Sequence, residues 1–251
     1  MKDKYMQTRL TNILNVLGQE KRISVAELSE KLKVSGVTIR KDLSKLEDKG
    51  LLKREHGFAT IVTSDDVNNR LLFNYEIKKK IAQKAAASIR DGETIMIESG
   101  SCCALLAEEV VTSLKDVTII TNSVFIASFV RSRPGAHIIL LGGEFQNEAQ
   151  VMVGPLIKKC AENFHVGKFF IGTDGFNDIG AMSADLMRAE AVRSMSESAQ
   201  QTIILTESQK FNRSGVVSLL PYDKINAIYT DDKIGDDKIK SLQSKNINVN
   251  I

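Results

Sequence analysis

Several apolar segments in the central and C-terminal parts of this sequence end in polar residues of the kinds that bind anions. Glycines, hydroxyls and amides are frequent among them, and several directly precede a helical pattern. Backbone N–H groups, hydroxyl groups and the N-terminus of a helix together stabilise negative charge. These residue types therefore indicate binding of a small anion, and the segments that carry them are 98–101, 121–123, 142–144, 172–175 and 207–211.

From residue 76 onward, helical patterns alternate with short apolar segments that predict strands. Such alternation is typical of a parallel sheet covered by helices on both faces. Because ligands bind at the carboxyl ends of parallel strands, near helix N-termini, we expect a ligand pocket at that edge of the sheet. The predicted strands are 94–98, 117–121, 137–141, 168–172, 201–206, 225–229 and 247–251.

The first part of the chain differs from the remainder in charge. Residues 1–58 carry 13 Lys and Arg against 8 Asp and Glu, a net charge of +5, whereas the remaining residues carry 21 against 23. A small basic domain attached to a slightly acidic one favours a polyanionic partner for the basic domain. The alternative is that this charge belongs to an ordinary solvated surface.

This basic segment has the pattern of three short helices. Apolar residues at helical spacing predict a first helix that stops at Gly18, and the sequence SVAE from Ser24 predicts a capping box that starts a second helix. A tight turn at 34–36 leads into a third helix that Gly50 closes. This pattern is typical of a helix-turn-helix that binds double-stranded DNA in the major groove, with a three-helix protein–protein adaptor as the alternative. The residues predicted to contact bases and phosphates are Ser35, Thr38, Arg40, Lys41 and Lys45.

A β-hairpin, or wing, is predicted after the third helix. The segment 51–59 alternates like a strand, turns at Gly57 and continues from Thr60, which would carry Arg54 and His56 towards the DNA backbone. Polar, turn-prone residues follow. The predicted domains are therefore a DNA-binding domain at 1–58, the wing end and a linker at 59–75, and an effector-binding and oligomerisation domain at 76–251.

The sequence VSGVTIRKDLSKLE at 34–47, followed by GLLKR at 50–54 and HG at 56–57, resembles the signature of the DeoR family of bacterial transcription regulators. The resemblance implies an α/β protein: a winged helix-turn-helix joined to a Rossmann-like parallel-sheet effector domain similar to ribose-phosphate isomerase and glucosamine-phosphate deaminase. It also implies a phosphorylated sugar or related effector, with its phosphate at the helix start and its hydroxyls nearer Asp174 and Lys210. The matching positions are Ser99, Gly100, Ser101, Asn122, Ser123, Gly142, Gly143, Asp174, Gly175 and Lys210, and Cys102 is expected in the same site.

Three sites depart from the family pattern. Phe58 stands where most members have a second glycine, Cys102-Cys103 where they have two threonines, and Gln146 where many have an arginine. Loss of a hydroxyl or a guanidinium that contacts the ligand would weaken phosphate binding by roughly 1–3 kcal/mol each. We therefore expect an unusual ligand or weaker binding, and a wing that Phe58 tightens or redirects.

The three cysteines do not form a disulfide framework in a chain of 251 residues, which favours a reduced, cytoplasmic protein. Adjacent cysteines cannot close a relaxed disulfide, so packing between helix and sheet is favoured over a redox switch for Cys102 and Cys103. Cys160 and His165 are too isolated to complete a zinc site, and we expect neither metal nor cofactor. No apolar segment approaches the roughly 20 residues that span a bilayer, so no membrane partner is expected.

These patterns favour a ligand-responsive transcription regulator, in particular a repressor of carbohydrate-metabolism genes that binds operator DNA as a homo-oligomer (dimer or tetramer). Two alternatives stay open. One is an isomerase or deaminase of sugar phosphates in which Asp174 and Lys210 are acid–base groups, and the other is an architectural DNA-binding protein without an effector. Alternating charges at 185–193 favour a solvated helix face, with lining of the pocket by Arg188 or Glu190 as the alternative.

Overall fold

The chain folds into two compact units, Met1–Glu76 and Ile77–Ile251. The computed structural model describes residues 2–48, 51–60, 67–133 and 136–251. Each unit buries its own set of apolar side chains, as expected for separate domains.

The first unit is mainly helical. Its elements are α1 Lys2–Glu20, β1 Arg22–Ser24, α2 Val25–Leu32, α3 Gly36–Asp48, β2 Lys53–Glu55, β3 Phe58–Thr60 and α4 Val67–Leu72. The prediction that Gly18 stops the first helix is wrong, because α1 continues to Glu20 and ends where Lys21 adopts a φ of +63°. A single glycine in a helix costs only about 1 kcal/mol, and the buried apolar face of α1 outweighs that cost.

The predicted helix-turn-helix is confirmed. The Ser24 hydroxyl oxygen accepts a hydrogen bond from the Glu27 backbone N–H at 3.1 Å, and the Ser24 backbone N–H donates to Glu27 Oε2 at 2.8 Å, which completes the capping box of α2. Lys33, with a φ of +53°, ends α2, and α3 starts at Gly36. As predicted, α3 buries Ile39, Leu43 and Leu46.

An ion pair that the pattern did not predict joins α1 to α3. Asp42 is only 2% exposed, and its Oδ1 accepts a hydrogen bond from Arg9 Nη2 at 3.1 Å. Because a buried carboxylate without a partner is strongly destabilising, this ion pair stabilises the packing of α1 on α3.

The wing is a two-residue hairpin. His56 and Gly57 have φ values of +48° and +85°, which are the signs that a type I′ turn requires at both central positions. The prediction that the second strand resumes at Thr60 is wrong, since β3 already begins at Phe58. β1, which is too short for its alternation to be recognised, pairs with β3 and gives the order β1-β3-β2. The backbone N–H of Val25 donates to Gly57 O at 3.0 Å and anchors the turn on α2.

The segment predicted as the wing end and linker contains regular structure. Thr60 still belongs to β3, and α4 buries Val67 and Leu71 completely. A helix of six residues is too short to establish a helical period in the sequence. Residues 61–66 and Gly50 lie outside the described residues, so the closing of α3 by Gly50 stays a prediction.

The second unit alternates helices and strands. Its helices are α5 Tyr75–Ala86 (which starts at the end of the first unit), α6 Ser101–Ser113, α7 Val124–Val130, α8 Pro155–Ala161, α9 Leu186–Ser196 and α10 Asp236–Gln243, with 3-10 turns at Ser208–Asn212 and Tyr222–Lys224. Its strands are β4 Thr94–Ile97, β5 Val117–Thr121, β6 Ala136–Leu140, β7 Glu144–Gln146, β8 Val151–Val153, β9 Val166–Ile171, β10 Gly175–Phe176, β11 Gly180–Ser183, β12 Ala199–Leu205, β13 Val217–Pro221, β14 Ala227–Tyr229 and β15 Asn248–Asn250.

Seven of these strands form a parallel sheet in the order β15-β14-β12-β9-β4-β5-β6. The predicted α/β class and the seven predicted strands are confirmed, with strand ends that differ by no more than two residues. The chain proceeds from β4 through β5 to β6 on one side, and then crosses to β9 on the other side of β4. The carboxyl ends of β4 and β9 therefore form the topological switch point at which ligands bind in open α/β sheets.

Two small antiparallel sheets, which the sequence did not predict, accompany the parallel sheet. One has the order β10-β11-β13 and the other is the hairpin β7-β8. Glycine allows the close approach in the first: a Cβ on Gly175 would lie 2.3 Å from the carbonyl oxygen of Arg213, and one on Gly180 would lie 2.1 Å from that of Leu220. Short strands that contain glycine lack the apolar alternation from which strands are predicted.

Candidate functional site

The outer face of α3 carries the cations that the sequence predicts for DNA recognition. Arg40, Lys41 and Lys45 are exposed on it. Ser35 instead caps the helix, because its Oγ accepts a hydrogen bond from the Thr38 backbone N–H at 3.3 Å and lies 2.9 Å from Thr38 Oγ1. The helix thus presents three cations to solvent, while Ser35 and Thr38 fix its first turn.

Val37 lies beside this cap, and sequence analysis did not single it out. Its side chain is 64% exposed in the first turn of α3. Apolar side chains at this position of a recognition helix can contact a thymine methyl group. The signal that identifies it is an apolar residue on the polar face of an amphipathic helix.

Arg54 points from β2 back to α3 rather than into solvent. Its Nη1 donates to Ser44 Oγ at 2.5 Å and lies 3.8 Å from Glu47 Oε2, and its backbone N–H donates to Glu47 Oε1 at 2.9 Å. The side chain is 33% exposed. Arg54 therefore holds the wing on α3, and the part that remains exposed can also face DNA.

A cleft of about 210 Å³ lies between the wing and the helices of the first unit. It brings together three of the residues predicted for DNA binding, namely Arg40, Arg54 and His56. The remaining lining residues are Val25, Glu55, Gly57 and Phe58. Cations from α3 and from the wing thus converge on one surface.

Phe58, the departure from the family pattern in the wing, contacts β1. The Arg22 guanidinium carbon lies 4.1 Å from the centroid of the Phe58 ring. A cation–π contact at an exposed site contributes about 0.5–1 kcal/mol, which a glycine could not supply. Phe58 therefore tightens the wing against β1.

In the second unit, the five polar segments of the sequence follow β4, β5, β6, β9 and β12. These strands are consecutive neighbours in the parallel sheet, so all five segments lie at one edge. At the switch point, Gly172 passes close to Ser99, since a Cβ on Gly172 would lie 3.7 Å from the Ser99 carbonyl oxygen. Gly100, with a φ of +128°, precedes α6, and no side chain caps that helix. The first backbone N–H groups of α6 thus lie beside the carboxyl ends of β4 and β9.

Ser99 and its neighbour form a buried pair at this helix start. Ser99 is 5% exposed and Glu98 is 6% exposed, and the Ser99 hydroxyl donates to Glu98 Oε1 at 2.6 Å. The Ser99 hydroxyl is therefore engaged within the protein. Ser101, the first residue of α6, is partly exposed.

Asn122 and Ser123 follow β5 and are both fully buried. Asn122 Nδ2 donates to the carbonyl oxygen of Met152 in β8 at 3.0 Å, while Asn122 Oδ1 has no hydrogen-bond partner among the described residues. Ser123 Oγ accepts the backbone N–H of Ile126 at 3.1 Å and caps α7. Asn122 therefore has an unsatisfied acceptor, whereas Ser123 has a structural function.

The two glycines after β6 differ in their surroundings. A Cβ on Gly143 would lie 2.4 Å from the carbonyl oxygen of Val153, so Gly143 is required for packing against β8. A Cβ on Gly142 would meet nothing within 4 Å. Of the predicted glycine positions, Gly143 and Gly175 are therefore fixed by backbone packing, and Gly142 is open to solvent.

Asp174 and Lys210 lie at the carboxyl ends of β9 and β12. Asp174 Oδ2 accepts the backbone N–H of Ala184 at 2.9 Å and so holds the segment that leads into α9. Lys210 lies in the 3-10 turn after β12 and is half-buried. Among the described residues, its ammonium group has no hydrogen-bond or ion-pair partner.

Cys102 and Cys103 are buried in the first turn of α6. Burial raises the pKa of the Cys102 thiol to about 12, with a smaller opposing effect from the positive charge of Lys78. Burial also raises the pKa of Cys103 well above its ordinary value. Both side chains therefore remain neutral thiols, and Cys103 Sγ lies 3.8 Å from the carbonyl oxygen of Phe170 in β9.

Gln146 lies in β7 beside the start of α9. Its Nε2 donates to Asp185 Oδ2 at 3.3 Å, and Asp185 Oδ1 caps α9 by accepting the Arg188 backbone N–H at 2.8 Å. Arg188 Nε lies 3.8 Å from Asp185 Oδ1, and the Arg188 side chain is 19% exposed. α9 packs into the core through Ala189, Ala191, Val192 and Met195, which leaves the charged residues of 185–193 on its more exposed face, as predicted. Glu190 is exposed.

A buried ion pair at the same edge escaped sequence analysis. Lys78 of α5 and Glu207, which follows β12, have side chains that are 3% and 7% exposed, and Lys78 Nζ lies 3.5 Å from Glu207 Oε2. The signal for Lys78 is its spacing, because it lies three, four and seven residues before the buried residues Ile81, Ala82 and Ala85. A lysine on the apolar face of a helix is rarely buried without a partner.

Within the described residues, no three His, Cys, Asp or Glu side chains are grouped so that they could hold a metal ion. The helices described here are all too short or too polar to cross a bilayer.

Two family models match the chain. The DeoR C terminal sensor domain matches residues 73–232, and the DeoR-like helix-turn-helix domain matches residues 9–65. The matched ranges contain both surfaces described above: the outer face of α3 with the wing, and the carboxyl edge of the parallel sheet.

Known proteins align over nearly the whole length. The HTH-type transcriptional regulator GolR of Listeria innocua is 29% identical over 97% of this chain and 97% of its own. The lactose phosphotransferase system repressor of Streptococcus mutans is 29% identical over 94% of this chain and 96% of its own.

Among solved structures, ribose 5-phosphate isomerase from Plasmodium falciparum superposes with a TM-score of 0.41 at 17% identity, over 54% of this chain and 52% of that one. No conclusion about chemistry follows from a superposition at this level. The sensor-domain match alone covers more than half of the sequence, and it follows a matching helix-turn-helix. The chain therefore belongs to the DeoR family of transcription regulators.

Proposed function

We propose that this regulator represses carbohydrate-metabolism genes. A phosphorylated sugar bound at the carboxyl edge of the sheet controls its affinity for operator DNA. The observation that carries the proposal is the convergence of five polar strand ends at one edge, next to the uncapped start of α6. The relative from Streptococcus mutans, named as a repressor of a lactose phosphotransferase system, supports the class of target genes.

DNA binding is assigned to the exposed face of α3 and to the wing. Arg40, Lys41 and Lys45 would neutralise phosphates or contact base edges, and His56 would approach the backbone from the wing tip. Ser35, Thr38 and Arg54 would act mainly by fixing α3 and the wing, with their exposed parts at the same surface. Such a set of solvated cations gives binding that weakens steeply with salt.

Effector binding is assigned to the start of α6 and the neighbouring strand ends. The N–H groups that follow Gly100 would bind the phosphate, because they have no side-chain cap and Gly100 has no side chain to block approach. Lys210 would add a positive charge, and Asn122 Oδ1 would accept a sugar hydroxyl.

We further propose that the protein binds its effector without converting it. Asp174, the candidate acid–base group, already accepts a backbone N–H from the segment before α9, which suits it to holding that segment. Incubation with glucose 6-phosphate, fructose 6-phosphate and ribose 5-phosphate, followed by proton NMR, tests this directly. Formation of any new sugar phosphate would show that the protein is an enzyme.

A homo-oligomer fits this function, since two linked DNA-binding units multiply the affinity for a two-fold operator. Exposed apolar side chains on the second unit suit contact with a second copy: Ile179, Leu186 and Val216. Light scattering of the full chain would give the subunit number, and a monomer at operator-binding concentrations would contradict the proposal. Because operator DNA is its partner, we propose that it acts in the cytoplasm.

The experiment that tests the proposal has two steps. An operator is first selected from a library of random duplexes of about 40 base pairs, long enough for two half-sites. Its affinity is then measured by fluorescence anisotropy with each sugar phosphate and with inorganic phosphate. We expect at least one sugar phosphate to change the operator affinity about 5–150-fold. An affinity that no member of the panel changes would contradict effector control.

A further inference from the structure

The buried pair Lys78–Glu207 lies at the edge of the sheet where the effector is proposed to bind. Lys78 Nζ and Glu207 Oε2 are 3.5 Å apart, and neither side chain is more than 7% exposed. Burial of an ion pair gains little stability over apolar residues of similar size. A pair retained in this position therefore invites a functional explanation.

Two lysines, Lys78 and Lys210, and two carboxylates, Glu207 and Asp231, act on this region. Burial lowers the pKa of Lys78, Glu207 opposes this effect, and the positive charge of Lys210 lowers the pKa further. Asp231 is engaged elsewhere, because its carboxylate accepts the backbone N–H and the hydroxyl of Ser208 at 2.7 and 2.8 Å. Glu207 is thus the carboxylate that faces Lys78 directly, whereas Lys210 has no ion-pair partner among the described residues.

Two further groups define this environment. The Cys102 thiol, in the first turn of α6, interacts electrostatically with both Lys78 and Lys210 and is neutral, since its pKa is raised to about 12. Glu207 Oε1 accepts a hydrogen bond from Gln209 Nε2 at 3.0 Å, which leaves Oε2 towards Lys78. Lys78, Lys210 and the start of α6 therefore share one region, and an anion bound there would supply the ion-pair partner that Lys210 lacks among the described residues.

The position of Lys78 in the chain connects this region to the DNA-binding unit. Lys78 is in the first turn of α5, which begins at Tyr75, and the boundary between the two compact units falls between Glu76 and Ile77. The backbone of α5 is thus the covalent path from one unit to the other. Lys78 is the second residue after that boundary, so a displacement of its side chain acts on the backbone next to the connection between the units.

We infer that Lys78 is the residue that transmits effector binding to the DNA-binding unit: the effector's phosphate competes with Glu207 for the Lys78 ammonium group, and the exchange of partners shifts the start of α5. This inference rests on the proposed function. It assigns a direct contact with the effector's phosphate to a residue outside the strand-end segments.

The test compares two substitutions on the same helix. Lys78→Met removes the buried ammonium group and keeps the length and apolar character of the side chain, whereas Lys80→Met removes an exposed one. For each protein, operator affinity is measured by fluorescence anisotropy with and without the sugar phosphate that acts on the wild type. The readout is the ratio of the two affinities, which a loss of stability alone does not change.

We expect the wild type and Lys80→Met to show the same ratio, in the range of about 5–150. For Lys78→Met we expect a ratio below about 2, which is a loss of most of that coupling. A full wild-type ratio in Lys78→Met would overturn the inference and leave the proposed function intact. A wild type that responds to no sugar phosphate would overturn both.

A second variant keeps the inference falsifiable if Lys78→Met does not fold. Glu207→Gln removes the competing charge but retains a side chain of the same shape. Without this competing charge, Lys78 should bind the sugar phosphate about 5-fold or more tightly. The sugar-phosphate concentration at the midpoint of the anisotropy response measures this change. An unchanged midpoint together with an unchanged ratio would count against the exchange of partners.

Discussion

The two units use charged side chains in opposite ways. In the DNA-binding unit, Arg40 and Lys41 stand in solvent on the outer face of α3. In the sensor unit, Lys78 and Glu207 are almost entirely buried and face each other. Exposed cations attract a long polyanion from a distance and are screened by salt, whereas buried ones recognise a small ligand by geometry and are screened much less. The two proposed anion-binding sites should therefore differ in their dependence on salt and on the shape of the ligand.

The largest expected difference is in the reactivity of two thiols of the sensor unit, Cys102 and Cys160. At about pH 8, a thiol with a pKa of about 12 is ionised roughly 10³-fold less than an ordinary cysteine, so Cys102 should resist iodoacetamide in the native protein. Mass spectrometry of timed samples measures this. The half-buried Cys160 is the internal control, and both should react in guanidinium chloride. Alkylation of Cys102 as fast as Cys160 would mean that the first turn of α6 is open to solvent.

The next largest effect concerns the exposed cations of α3. Replacement of both Arg40 and Lys41 by alanine should weaken operator binding by about 10²-fold or more, since each lost base or phosphate contact costs about 1–3 kcal/mol. Fluorescence anisotropy at several salt concentrations measures the affinity, and the salt dependence should become shallower. Lys238→Ala, an exposed cation of the sensor unit, is the matched control. Operator affinity equal to that of the control would remove α3 as the recognition helix.

A third prediction separates packing from ligand contact among the glycines of the sensor unit. Gly143→Ala should lower the free energy of unfolding by about 1–3 kcal/mol, because its Cβ would lie 2.4 Å from the Val153 carbonyl oxygen. Gly142→Ala should leave stability unchanged, since that Cβ meets nothing within 4 Å. Urea denaturation measures the free energy of unfolding of both variants. Equal values would contradict the close packing of Gly143 against β8.

The smallest expected effect distinguishes Arg54 from Arg40. Arg54→Ala should reduce the free energy of unfolding by about 1 kcal/mol, because it breaks the hydrogen bond to Ser44 that holds the wing on α3. Arg40→Ala should leave stability within about 0.5 kcal/mol of the wild type, as is usual for exposed residues. Thermal unfolding monitored by circular dichroism gives both values. A reversed order would assign the structural function to Arg40 instead.

The sequence predicts those parts of the fold that depend on periodicity. The capping box at Ser24, the buried stripe of α3 and the seven parallel strands all follow from apolar spacing and local hydrogen bonding. The hairpin β7-β8 and the sheet β10-β11-β13 do not, because their strands are short and depend on close backbone contacts at Gly143, Gly175 and Gly180. Such contacts join segments distant in sequence and leave no local pattern.

For the candidate sites, the positions of the residues could be predicted from the sequence, but the contacts of their side chains could not. The strand ends could be identified because residues of anion-binding type follow each apolar segment. The function of individual side chains could not, since it depends on partners elsewhere in the chain: Arg54 is engaged by α3, Ser123 caps α7, and Asp174 holds the segment before α9. The apolar spacing of α5 places Lys78 on the buried face, but its pairing with Glu207 joins residues distant in sequence and leaves no local pattern.

The central claim is that the first unit recognises a specific DNA sequence. The most direct measurement is the ratio of dissociation constants for the selected operator and a scrambled duplex of the same composition, at an ionic strength of about 0.15 M. We predict that the operator binds at least about 10³-fold more tightly. Equal affinities for the two duplexes would contradict the account.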